Sequence, residues 1–206
     1  MTKLRVLRFV LAIIMFNYSF PPVLFAADIL STQKKLYSQH DEELIIRDFF
    51  NDEKGGFFVD IGAGDYKELS NTYYLEKNLG WKGVAVDAQE RYEADYKKFR
   101  PSTRYFNYIV TDGGGSDQDF FNVEQFPATS TTNPNWLRVV PLMVNMKPDE
   151  KLRVRITKVP VVTLNKLLEL NGITKIDLLS LDIELGEPAA LAGFDIDKYR
   201  PRLVCV

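Results

Sequence analysis

The chain is poor in the residues that most often carry chemistry. It has one cysteine, Cys205, and one histidine, His40. A lone cysteine excludes an internal disulfide and a thiolate metal site, and a lone histidine excludes zinc sites or catalytic pairs built from several imidazoles. Charge of one sign is also missing. Lysine and arginine total 26 against 28 acidic residues, for a net charge of −2, and no basic block interrupts the sequence. Nothing here calls for nucleic acid as a partner. There are no internal repeats, and no uninterrupted apolar run reaches the ~20 residues of a membrane-crossing helix. With 206 residues, the chain suits one domain with a real core.

What is present starts with a distinct N-terminus. Lys3, Arg5 and Arg8 precede an uncharged stretch from Phe9 to Ala27, whose apolar heart is Phe9 to Phe16 and which Pro21-Pro22 breaks. A basic flank, a short apolar region and the small residues Ala26-Ala27 have the layout of a signal peptide. Leu24 departs from the small-residue cleavage pattern, so two readings stand for residues 1–27: a signal peptide, or an uncleaved N-terminal membrane anchor. Either makes the protein membrane-associated or exported. A cytoplasmic location is the alternative.

The most informative stretch is Phe57-Phe58-Val59-Asp60-Ile61-Gly62-Ala63-Gly64-Asp65. An apolar run ending in an acidic residue and two closely spaced glycines reads as a buried parallel strand that turns tightly over a cofactor. A second apolar run, Gly83-Val84-Ala85-Val86, ends in Asp87, placed to accept the two hydroxyls of a ribose. A dinucleotide loop needs a third glycine to open its helix toward a pyrophosphate. Here Gly62-Ala63-Gly64-Asp65-Tyr66-Lys67 lacks it, and Asp65 puts negative charge where the phosphates would lie. That disfavours an NAD-dependent oxidoreductase. A cofactor with a positive centre and no phosphate fits better, which points to S-adenosylmethionine.

The periodicity predicts an α/β, Rossmann-like, doubly wound and mostly parallel sheet. A helix over 41–51 is expected to bury Leu44, Ile45, Phe49 and Phe50, and a short helix follows over 71–78. Another spans 89–99 with Tyr92, Tyr96 and Phe99 inward. Strands are expected at 57–61, 83–87, 104–110 and 176–181. Residues 120–123 suggest an edge strand, and 153–159 alternate as a half-exposed one. Residues 126–151 read as irregular, and the whole 117–163 insertion as a cover over the substrate side. Thr163 to Leu170 is a helix burying Leu164, Leu167, Leu168 and Leu170, and Pro188 opens another over 188–193. Leu203 to Val206 begins a fifth strand, after which the sheet is expected to be truncated.

Parallel sheets hold ligands at the carboxyl ends of their strands, where this chain puts Asp60, Asp87, Asp112 and Asp182. Asp60 is expected to face the amino-acid part of the cofactor, Asp87 its ribose, and Asp112 or Thr111 its adenine edge. Asp182, Glu184 and Glu187 are expected to border the acceptor as catalytic carboxylates. One of them takes a hydroxyl proton. The lesser alternative is that together they hold a divalent metal. Glu187 also has a plain reading as a cap of the following helix. His40 could serve as a base, but reads better as a surface residue at a helix start.

Several segments, in this order, carry a family resemblance: Ser38-Gln39-His40-Asp41-Glu42, then FFVDIGAGD, then Ser70-Asn71-Thr72-Tyr73-Tyr74-Leu75-Glu76. After these come LGWKGVAVDA over 79–88, VPVVTLNKLL over 159–168 and IDLLSLDIELGEPAALAGFD over 176–195. Over roughly residues 37–206 the chain resembles FkbM-type methyltransferases, a branch of the class I S-adenosylmethionine-dependent enzymes. The resemblance implies O-methylation of a hydroxyl on a small molecule or glycan. It adds Ala63, Asp65, Ser70 and Asn71 to the cofactor-binding candidates Asp60, Gly62, Gly64, Asp87 and Asp112. The family usually has glycine directly after its D-[IV]-E, whereas here Leu185 intervenes before Gly186. The other reading that stands is a catalytically inactive, exported Rossmann-like binding domain.

Overall fold

The computed structural model describes residues 29–113 and 115–206. The expected signal peptide or anchor over 1–27 lies outside the described residues. Among those residues, no helix is long and apolar enough to cross a membrane.

In chain order, α1 (Ile29–Thr32) and α2 (Glu42–Phe50) precede β1 (Phe57–Ile61). α3 (Tyr73–Leu79) leads to β2 (Lys82–Asp87), and α4 (Glu93–Phe99) to β3 (Thr103–Asn107). There follow β4 (Ile109–Thr111), β5 (Gln118–Val123), α5 (Val140–Met143), β6 (Val154–Val159) and β7 (Val161–Thr163). The chain then runs through α6 (Leu164–Leu170), β8 (Leu178–Leu181), α7 (Glu187–Ala192), α8 (Ile196–Tyr199) and β9 (Leu203–Cys205).

Five strands form one parallel sheet in the order β3-β2-β1-β8-β9. The chain reverses direction across the sheet between β1 and β8, which makes that junction the switch point where α/β sheets open a crevice. The near-continuous apolar strands follow from burial on both faces. Because side chains alternate, Val59 and Ile61 pack with Val84, Val86, Leu179 and Leu181 against α6 and α7. Phe58 and Leu178 point the other way, onto Ile46, Phe50, Leu75, Leu79 and Trp81. The Asp177 carboxylate accepts the Phe57 N–H at 2.9 Å and so aligns the start of β1 with β8.

Several local expectations are corrected. The run expected over 104–110 breaks at Tyr108. Its second half, β4, leaves the main sheet and pairs with β7, while β5 and β6 form a separate antiparallel ribbon. On α2 the buried face is Glu43, Leu44, Ile46, Arg47 and Phe50, with Phe49 39% exposed. Glu43 can be buried because its carboxylate accepts the Tyr37 N–H at 2.9 Å and lies 3.4 Å from Arg47. Of the three aromatic residues expected inward over 89–99, only Tyr96 is buried; Phe99 stacks on Tyr66 at the surface. Leu170, at the end of α6, is 67% exposed. The stretch expected to be irregular, 126–151, has two 3₁₀ turns and α5, and Val123, Trp136 and Val140 give it a small core of its own.

Candidate active site

The end of β1 is built by backbone geometry. The N–H groups of Gly62 and Ala63 both donate to the Val86 carbonyl, at 2.8 and 3.2 Å, which folds the chain over the end of β2. Gly62 has φ 81°, and a Cβ there would collide with the Asp182 carbonyl at the end of β8. Glycine is therefore required both for the conformation and for the approach of the two strand ends. Gly64, at φ 56°, donates its N–H to Asp87 Oδ2 at 2.9 Å, while Gln89 N–H donates to Asp87 Oδ1 at 2.8 Å. One carboxylate thus ties the glycine loop to the turn after β2. Each of its oxygens keeps a further lone pair. Burial pushes Asp87 up to about 6, against the pull of these N–H groups and of Arg91.

Two tyrosines support these loops from behind. Tyr96 donates to the Ala63 carbonyl at 3.3 Å, and Tyr105 to the Gln89 carbonyl at 2.7 Å. In front of the loops lies a cleft of about 270 Å³. Gly62, Ala63, Gly64, Asp65 and Asp87 line one part of it; Tyr92, Tyr108, Ile109, Val110 and Phe120 supply apolar and aromatic walls. Pro127, Ala128, Ser130 and Thr132 line it from the insertion expected to cover the substrate side, and Asp182 and Glu184 line it from the loop after β8.

That acidic loop is held in an unusual conformation. Glu184 and Leu185 both have positive φ, 53° and 75°. The loop is closed by the Glu187 carboxylate, which accepts the Ile183 N–H at 2.7 Å, and anchored by Thr131, whose hydroxyl donates to the Glu184 carbonyl at 3.1 Å. Asp182 opens onto the cleft but is crowded by protein. Burial and the charges of Glu187, Asp60 and Glu42 raise its carboxyl to about 6, with His40 opposing. Glu184 rises further, to about 8, through burial and then the charges of Asp182 and Glu187.

The other expected site residues do not line the cleft. Asp60 lies beneath the loop, 4% exposed, and accepts the Thr72 hydroxyl at 2.7 Å; burial raises its carboxyl. Ser70 caps the turn into α3 by accepting the Tyr73 N–H at 3.1 Å, and Asn71 donates to the Ser180 hydroxyl at 3.3 Å. Asp112 borders a separate recess beside Gly113 and Ser116 because β4 has swung out of the sheet, so Tyr108 to Val110 stand where it was expected. Glu187 is occupied within its own loop, so the expected trio of carboxylates is not free to act together. Among the described residues, no cluster of three histidine, cysteine or acidic side chains is arranged to hold a metal ion. His40 is exposed beside α2, outside the cleft lining.

Gln89 and the Tyr108–Val110 wall were missed from the sequence. Gln89 has a legible position, two residues past an acidic strand tip, where its N–H can close a turn. The wall follows from a strand break that periodicity does not mark. The cleft suits a nucleoside cofactor with a cationic centre. Asp87 has lone pairs to spare for hydroxyls, Gly64 leaves its backbone uncovered, and among the described residues no lysine or arginine lines the cleft that the acidic loop faces. A family model described as methyltransferase FkbM domain matches residues 60–206. No curated protein and no solved structure matches the chain.

Proposed function

From the premise that this chain belongs to the methyltransferase FkbM domain family, we propose that it methylates a hydroxyl of a small molecule or glycan with S-adenosylmethionine as donor. The observation that carries this reading is Asp87, which joins the glycine loop to the β2 turn at one side of a cleft whose other side is the Asp182–Glu184 loop. The cofactor supplies a methyl group on a cationic sulfur. Asp87 accepts from the ribose hydroxyls through its remaining lone pairs. The Tyr108–Val110 wall and Phe120 cover the base, and Pro127 and Ala128 help keep water from the acceptor. Glu184, with its carboxyl at about 8, is the group best matched to receive a hydroxyl proton near neutral pH. Asp182 beside it holds the acceptor in line with the methyl. A thermal-shift comparison of S-adenosylmethionine, S-adenosylhomocysteine and NAD tests the reading. The first two should raise the melting temperature and NAD should not; stabilisation by NAD alone would overturn it.

The N-terminal segment supports a second proposal: residues 1–27 direct the chain to a membrane. Fused to a reporter active only outside the cytoplasm, they should give signal, and changing Lys3, Arg5 and Arg8 to Glu should reduce it. A reporter that stays in the cytoplasm would refute this.

A further inference from the structure

The insertion that lines the cleft has an outer face of mixed character. Val139, Leu142 and Met143 stand three and four residues apart along α5 and the turn that opens it, so they share one side, and Leu142 is 77% exposed. Val140 turns the other way and packs with Val123 and Trp136. In the β5–β6 ribbon Val154 lies opposite Val123. Val154 and, two residues on, Ile156 therefore share the ribbon face on which Val140 packs. Both are exposed, Ile156 at 57%. Single exposed apolar residues are ordinary, but five on one small unit are not. Cations are interspersed with them. From Trp136 to Lys158 the chain carries Arg138, Lys147, Lys151, Arg153, Arg155 and Lys158 against Asp149 and Glu150, although its net charge overall is −2. All six cations are exposed. Among the described residues, only Arg153 and Lys158 of the six are ion-paired, with Glu124 at 3.8 Å and Asp119 at 2.8 Å.

We propose that this face is a docking surface for an anionic lipid bilayer, with α5 and the outer face of the β5–β6 ribbon lying in the headgroup region. Charge complementarity selects the occupant. Apolar side chains enter the boundary of the acyl chains, while lysine and arginine reach the phosphate headgroups above them on long stems. Each cation near an anionic surface adds about fivefold in affinity, an effect that salt screens. Nucleic acid would match the cations but leave Leu142 and Ile156 uncovered. A second copy of the chain, docked through the same face, would set cation against cation. The contact is peripheral: α5 has four residues, and no described helix is long and apolar enough to cross a membrane. The proposal depends neither on residues 1–27 nor on the cofactor assigned to the cleft.

Site-specific fluorescence on the full chain separates this face from residues 1–27. The one native cysteine, Cys205, is buried, and burial pushes its thiol up to about 12, so an introduced surface cysteine takes the label selectively. Leu142→Cys is labelled with an environment-sensitive dye. It is mixed with vesicles of phosphatidylcholine alone, or of equal parts phosphatidylcholine and phosphatidylglycerol. Leu170→Cys is the control, exposed at the end of α6 and so at the end of the sheet where β8 begins, away from the cleft. Emission at position 142 should shift to the blue with the mixed vesicles only, and position 170 should not respond. Arg153→Glu combined with Arg155→Glu should remove most of the shift, and high salt should do the same. Ile156→Cys, on the ribbon, should respond as position 142 does and gives an independent reading if the α5 variant misfolds. No shift at either position would overturn the proposal, as would an equal shift with phosphatidylcholine alone or an equal response at position 170. A shift that the charge reversals leave intact would overturn it too. So would a blue shift without vesicles that grows with protein concentration, the mark of self-association through this face.

Discussion

Asp87 shows how much one side chain does at this site. It accepts two backbone N–H groups and still has lone pairs toward the cleft. Asp87→Asn keeps the shape but offers one accepting oxygen and no charge. Affinity for S-adenosylhomocysteine should fall at least about tenfold. The loss of stability should be smaller than on full removal, because the amide NH2 faces one of the two backbone N–H groups and leaves it unpaired while the lost buried charge offsets part of that cost. Asp87→Ala leaves the Gly64 and Gln89 N–H groups without their partner. It should lose the same affinity and about 1–3 kcal/mol of stability as well. Calorimetry and urea unfolding on the two variants separate these effects; unchanged affinity in both would remove Asp87 from the cofactor site. Leu185 makes a different point. The family usually carries glycine after its D-[IV]-E, and Leu185 sits there at φ 75°, where a side chain is strained. Its side chain is 54% exposed, so little packing offsets the strain. Leu185→Gly should therefore raise stability, by up to about 1 kcal/mol in urea unfolding, despite the entropy glycine adds to the unfolded chain. A clear loss would mean that Leu185 makes contacts that outweigh its backbone.

At the scale of elements, the segment Ser70 to Glu76 is a buried strap. Thr72 bonds Asp60 on β1, Asn71 bonds Ser180 on β8, and Glu76 bonds Thr103 on β3. Arg100, at the end of α4 and fully buried, pairs with Glu76 and also donates to the Tyr66 carbonyl at 3.0 Å and the Thr72 carbonyl at 3.2 Å. Burial pushes Glu76 up, but the bonds from Thr103 and Arg100 outweigh it and hold the carboxyl below its ordinary value. Arg100→Met would strand that charge and should cost ~3–5 kcal/mol in urea unfolding. Adding Glu76→Gln should recover part of the loss, and strict additivity of the two changes would count against the coupling. The family resemblance places Ser70 and Asn71 among the cofactor residues. The structure turns them inward, since a loop crossing three strand ends needs internal partners for its own polar groups. Polarity was legible from the sequence; direction was not, because it depends on strands distant in the chain.

At the scale of the molecule, the legible part was whatever repeats locally. Apolar strands ending in Asp60, Asp87 and Asp182 announced the parallel sheet and its crevice, and the glycine loop was correctly placed on it. The departure of β4 from the sheet was not legible, because a break at Tyr108 changes no hydrophobic pattern; with it went the expectation for Asp112. The carboxylates gathered by this fold also set how stability responds to pH. Asp87 and Asp182 titrate near 6 and Glu184 near 8 in the folded protein, all above their unfolded values. A raised carboxyl means that the folded state binds more protons than the unfolded one across the interval between the two values. The stabilisation is complete below the ordinary carboxylate range and is lost as pH rises through the folded value. Glu76, lowered in the folded state, acts in the opposite sense, but below the ordinary carboxylate range rather than near neutrality. The ligand-free protein should therefore lose stability steadily from pH 5 to pH 8.5. In Glu184→Gln the decline should flatten above about pH 6.5, because the group that titrates there is gone, while the fall from pH 5 to 6.5 remains. Urea midpoints across that range are the measurement. A midpoint that climbs from pH 6 to 8.5 in the unaltered protein would show that the acidic loop is solvated and ionised in the folded state, and would also weaken the case for Glu184 as a base.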